Sequence, residues 1–70
     1  MNDVGIGATI ARERRAEGVT QAQLAERLGV TKAAVSKWEL GQSLPDVALL
    51  PRIAAYFGIS LDDLFAFRPQ

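Results

Sequence analysis

Apolar residues along this 70-residue chain return at helical rather than strand spacing. Ile6 and Ile10, then Leu24, Ala25 and Leu28, then Val35 and Trp38 recur every three or four positions, as one face of a 3.6-residue turn requires. The same spacing carries Leu50, Ile53, Ala54 and Phe57, and closes with Ile59, Leu61 and Leu64. These residues are the expected core. No segment alternates apolar and polar side chains like a half-buried strand, and there is no internal repeat or low-complexity tract. The chain reads as all-α.

The helix ends are marked by residues with mechanical reasons to be there. Gly18, Gly29, Gly41 and Gly58 each follow a helix-competent segment, where a left-handed cap favours glycine. Thr20, Thr31 and Ser60 stand where a hydroxyl oxygen would accept from a free backbone N–H. With each hydroxyl as the cap, the preceding residue is Val19, Val30 or Ile59, and the fourth helical residue is Leu24, Val35 or Leu64. All three starts match the hydrophobic staple, and Thr20 with Gln23 and Ser60 with Asp63 match a capping box. The predicted helices span about 6–17, 21–28, 32–40, 47–57 and 61–66. Asp46 is the expected cap of the fourth, and Pro51 predicts a kink or a late start there.

Gly29, Val30 and Thr31 join two short helices, and a glycine-containing turn of three or four residues is the connection of a helix-turn-helix. Val30 would plug the angle between the helices, and Ala25 would stand at their closest approach. The third helix is held from behind by Val35 and Trp38. Its front, with Lys32, Ala33, Ser36 and Lys37, is left free. A helix fixed in this way can enter a major groove about 12 Å wide, leading with its amino-terminal residues. Lysine can donate to guanine or to phosphate, serine to either, and the Ala33 methyl can touch a thymine methyl.

Composition narrows this picture further. The chain has 49% hydrophobic residues and room for one domain. It has no cysteine and no histidine, which removes disulfides, the usual zinc sites, thiol nucleophiles and imidazole bases, and so argues against an enzyme. No cofactor or metal is expected, because Asp62 and Asp63 read as cap and helix-dipole residues. The net charge of zero weighs mildly against a nucleic-acid partner. The charge is uneven, however: residues 10–41 carry six basic and four acidic side chains, and residues 42–70 two basic and three acidic ones. No apolar run is long enough for a membrane span, and the first residues lack the charge order of a signal peptide, so a cytoplasmic protein is expected.

The segment TQAQLAERLGVTKAAVSKWELG, with SLPD, IAAYFGIS and LDDLF behind it, resembles the Xre/Cro family of phage-repressor-like transcriptional regulators. The resemblance covers about residues 6–66. It implies a compact five-helix bundle of the lambda-repressor-like type, a single DNA-binding domain over 1–70 with its helix-turn-helix at about 20–41 and a tail at 67–70. It also implies a sequence-specific regulator, a repressor in the leading reading, bound to double-stranded operator DNA as a homodimer on two-fold sites. Carried across position by position, Lys32, Ala33, Ser36 and Lys37 are the base-contacting residues. Thr20, Gln21, Thr31 and Ala34 are phosphate contacts, and Arg14 pairs with Glu39 as a brace beside Trp38. Phe65 and Phe67 are candidates for a dimer contact. Two positions depart from the pattern: Leu40 replaces a basic residue common among relatives, and Ala33 is short for a reading position. The alternative is a protein-interaction or antitoxin-type module that keeps the fold without strong DNA binding, which the zero net charge and Leu40 favour.

Overall fold

A computed structural model describes residues 5–66. They form α1 (Ile6–Ala16), α2 (Gln21–Leu28), α3 (Lys32–Glu39), a single 3-10 turn (Val47–Leu49), α4 (Leu50–Phe57) and α5 (Leu61–Phe65). The hydroxyl caps are those expected. Thr20 and Ser60 each form a complete capping box, and the Thr31 hydroxyl accepts from the Ala34 N–H at 3.0 Å. Val19, Val30 and Ile59 pack against the buried cluster, completing the three staples. Gly29 closes α2 with φ 73°, a left-handed conformation that an L side chain would strain.

The fourth helix differs from the expected 47–57. Residues 47–49 form the 3-10 turn, and α4 begins only at Leu50. Pro51 then lies in the first turn, where its missing N–H removes no intrahelical bond. Asp46 precedes the turn but makes no side-chain cap bond, so its expected capping role is not fulfilled. The Asp46 carbonyl accepts from the Leu49 N–H at 2.8 Å instead. Helix α3 ends one residue early, at Glu39, with Leu40 as its cap.

Ile10, Leu24, Val35, Ile53 and Leu64 are wholly buried, surrounded by Ile6, Ala25, Leu28, Trp38, Ala54 and Phe57. Leu50 and Ile59 are partly buried at the edge of this cluster. Leu61, expected in the core, is instead 45% exposed. Helix α5 has only five residues, and Leu64 and the Ile59 staple fix its packing, so Leu61 falls at the rim. Thr9 and Ala11, small residues outside the apolar pattern, are buried on the inner side of α1.

Helix α1 crosses the end of α3 at very short range. A Cβ built on Gly7 would lie 2.0 Å from the Trp38 carbonyl oxygen and 3.4 Å from the Glu39 Cα. The start of α1 also meets the end of α5, where the Gly5 N–H donates to the Phe65 carbonyl at 3.1 Å. The Phe65 side chain packs partly buried on the core. Phe67, the other aromatic considered for a dimer contact, lies outside the described residues. Among the described residues no helix is long and apolar enough to cross a membrane.

Candidate nucleic-acid interface

The turn between α2 and α3 is tied by the Val30 N–H donating to the Ala25 carbonyl at 2.9 Å. Ala25 is buried at this junction, as its small size requires. Val35 and Trp38 are buried on the rear of α3, while Lys32, Ala33 and Lys37 are exposed and Ser36 and Ala34 are half-buried. The four expected reading positions therefore share the side of α3 that the bundle leaves open. Neither lysine is paired with a carboxylate, since the ion pairs among the described residues are Arg12–Glu13 and Arg14–Glu39.

The residues expected at phosphates are already engaged within the fold. Thr20 and Thr31 use a lone pair each to cap α2 and α3, which leaves their hydroxyl protons free to donate outward. The Ala34 N–H donates to the Thr31 hydroxyl oxygen and carbonyl within the cap. Gln21 donates from Nε2 to Glu39 Oε1 at 2.9 Å, retaining one amide proton and its carbonyl oxygen.

Glu39 is the centre of a three-residue lock. Arg14 donates from Nε to Glu39 Oε2 at 2.7 Å and from a terminal nitrogen to Oε1 at 3.1 Å. A third Arg14 nitrogen donates to the Val19 carbonyl at 3.0 Å. The brace expected from the family resemblance is thus present, and it extends to the first residue of α2. The side chains of Arg14 and Glu39 are only 13% and 6% exposed. Burial pushes the Glu39 carboxyl up, but hydrogen bonds from Arg14 and Gln21, with the charges of Arg14 and Arg15, outweigh it and hold the carboxyl below its ordinary value. The bond to Glu39 outweighs burial for Arg14 as well, and holds its guanidinium above its ordinary value.

A pH dependence follows. A depressed carboxyl adds stability above the unfolded carboxylate value of about 4.3, and that stability is lost as pH falls through the lower folded value. Urea midpoints of the wild type should therefore fall more steeply in acid than those of Glu39→Gln, which has no proton to take up at this site. Parallel acid profiles for the two proteins would remove the brace from the acid sensitivity of the fold.

Two parts of this arrangement are absent from the sequence reading. The Gln21–Glu39 bond joins residues 18 apart along the chain and leaves no local signal. Gly7 had one: glycine inside a helix costs about 1 kcal/mol against alanine, so its presence in α1 marks a place where a side chain is not tolerated.

A profile of the helix-turn-helix family matches residues 10–64. The chain belongs to the helix-turn-helix family. It is 40% identical over 53 residues to the HTH-type transcriptional activator BcrR of Enterococcus faecalis, a match covering 76% of this chain and 26% of BcrR. It is 38% identical over 55 residues to the cryptic phage CTXphi transcriptional repressor RstR of Vibrio cholerae serotype O1, covering 79% of this chain and 49% of RstR. This helix-turn-helix chain therefore spans about a quarter and about half the length of these two relatives. Among solved structures it resembles the P22 c2 repressor in complex with synthetic operator 9T, with a TM-score of 0.80 and 28% identity over 86% of this chain and 91% of that one. The five-helix architecture and the Xre/Cro resemblance agree with these matches.

Proposed function

We propose that this helix-turn-helix protein is a double-stranded DNA-binding transcriptional regulator that reads the major groove with α3. The observation that carries the reading is a short helix clamped through Val35, Trp38 and Glu39, with Lys32, Ala33, Ser36 and Lys37 on its open side. The likeness to a repressor solved on operator DNA supports it. Repression is the direction favoured, because a domain seated on a duplex blocks other proteins without any additional surface. Lys32 and Lys37 donate to guanine edges, Ser36 to an adjacent base, and Ala33 lets the backbone approach. Thr20, Gln21 and Thr31 steady the phosphates on either side. Two copies occupy two-fold half-sites about one helical turn apart, roughly 34–36 Å.

Selection of bound sequences from random duplex DNA should return a two-fold motif. On that motif, Lys32→Ala and Lys37→Ala should each weaken binding by about 1–3 kcal/mol. Affinity should fall with salt at a log–log slope of about −0.9 per neutralised phosphate. Unchanged binding in both lysine variants would remove α3 from the reading role.

A protein-interaction module without strong DNA binding is the second reading, and a specific observation favours it. Leu40 is 67% exposed, and Leu44 and Val47 are exposed nearby in sequence. That reading predicts no enriched motif from the same selection.

A further inference from the structure

Two arginines lie outside both the brace and the front of α3, on the flank made by the end of α2 and by α4. Arg27, Leu28, Arg52, Ala55 and Tyr56 line an open cleft of ≈ 320 Å³. The Arg27 guanidinium carbon sits 5.7 Å from the centre of the Tyr56 ring, within cation–π range. Tyr56 is in turn set edge-on to Phe57, with ring centres 5.0 Å apart. Arg52 reaches across from α4, its terminal nitrogens 3.5 Å from the Leu28 carbonyl oxygen and 3.4 Å from that of Arg27. Those carbonyls form the negative end of α2, which steadies Arg52 and leaves it donors to spare. Neither arginine is paired with a carboxylate among the described residues.

We infer that this cleft docks an acidic polypeptide segment, one that sets two neighbouring carboxylates against Arg27 and Arg52 and an aliphatic side chain on Tyr56 and Ala55. The planar guanidinium fork matches a carboxylate through two parallel hydrogen bonds. The apolar part of the lining gives an aliphatic side chain a surface that a phosphate chain does not use. The cleft contains no residue of α3. Ile53, Ala54 and Phe57 of α4 belong to the same buried core as Val35 and Trp38 of α3.

The test is an NMR titration of the isotope-labelled protein, at near-physiological salt, with a short capped peptide of alternating glutamate and leucine. A lysine–leucine peptide and a short duplex serve as parallel probes. The glutamate peptide should shift Arg27, Arg52 and Tyr56 signals while leaving Lys32 and Lys37 unmoved, and the lysine peptide should shift none of them. Arg27→Ala with Arg52→Ala should weaken the glutamate peptide by about tenfold or more. Should loss of Arg52 unfold the domain, Arg27→Glu, which keeps the Arg52 contacts, must abolish glutamate-peptide binding and admit the lysine peptide. Absence of shifts, shifts centred on Lys32 and Lys37, or a duplex preferred over the peptide at the cleft would each overturn the inference.

Discussion

Glu39→Ala is expected to destabilise the domain by about 3 kcal/mol, because it strands a guanidinium whose side chain is largely buried. A 70-residue domain has only about 4–10 kcal/mol in total, so this single truncation removes a large part of the fold's margin. Arg14 would keep its bond to the Val19 carbonyl, and Gln21 would lose its partner on α3. The cost comes from the unpaired charge and not from a large favourable value of the pair. Replacing Arg14 and Glu39 together by apolar residues of similar volume should therefore restore most of the stability. Urea unfolding of the single and double variants distinguishes the two effects. A Glu39→Ala protein within about 1 kcal/mol of wild type would show that the pair behaves like an exposed one.

Gly7→Ala is expected to lower stability by about 2–3 kcal/mol, against the sign of intrinsic helix propensity. On an open helix surface the same change would gain about 1 kcal/mol. The new methyl would meet the Trp38 carbonyl oxygen at 2.0 Å, whereas ordinary contact begins near 3.4 Å. A backbone oxygen cannot swing aside as a flexible side chain can, so α1 must move away from α3 as a body. That motion also separates Arg14 from Glu39, which stand on the same two helices. Thermal and urea unfolding read the loss directly. A more stable Gly7→Ala protein would mean that the two helices do not approach so closely.

Features that depend on neighbours in sequence were legible before any coordinates. The capping boxes at Thr20 and Ser60, the Thr31 cap, the three staples and the α2–α3 turn each follow from residues within five positions of one another. So did the exposed front of α3, since burying Val35 and Trp38 sends Lys32, Ala33 and Lys37 outward. Arg14 and Glu39 are 25 apart, and only the family resemblance joined them. The contact of Gln21 with Glu39, the reach of Arg52 to α2 and the narrow crossing at Gly7 needed the packed helices themselves. Leu61 is exposed despite its spacing because periodicity treats a one-turn helix like a long one. The late start of the fourth helix follows from Pro51, whereas the 3-10 turn at 47–49 shares the apolar spacing of a first α turn and is not distinguished from it by sequence.

The lock formed by Arg14, Gln21 and Glu39 has a thermodynamic consequence for any duplex that meets α3. Helix α3 is already ordered, so on the proposed reading association would have no coupled folding step to drive, and the loss of freedom would fall mainly on the long tails of Lys32 and Lys37. Titration calorimetry at several temperatures should then give a small heat-capacity change, matching only the area covered at the contact. In the Glu39→Ala protein the same titration should give a larger one, as α3 settles into place on arrival.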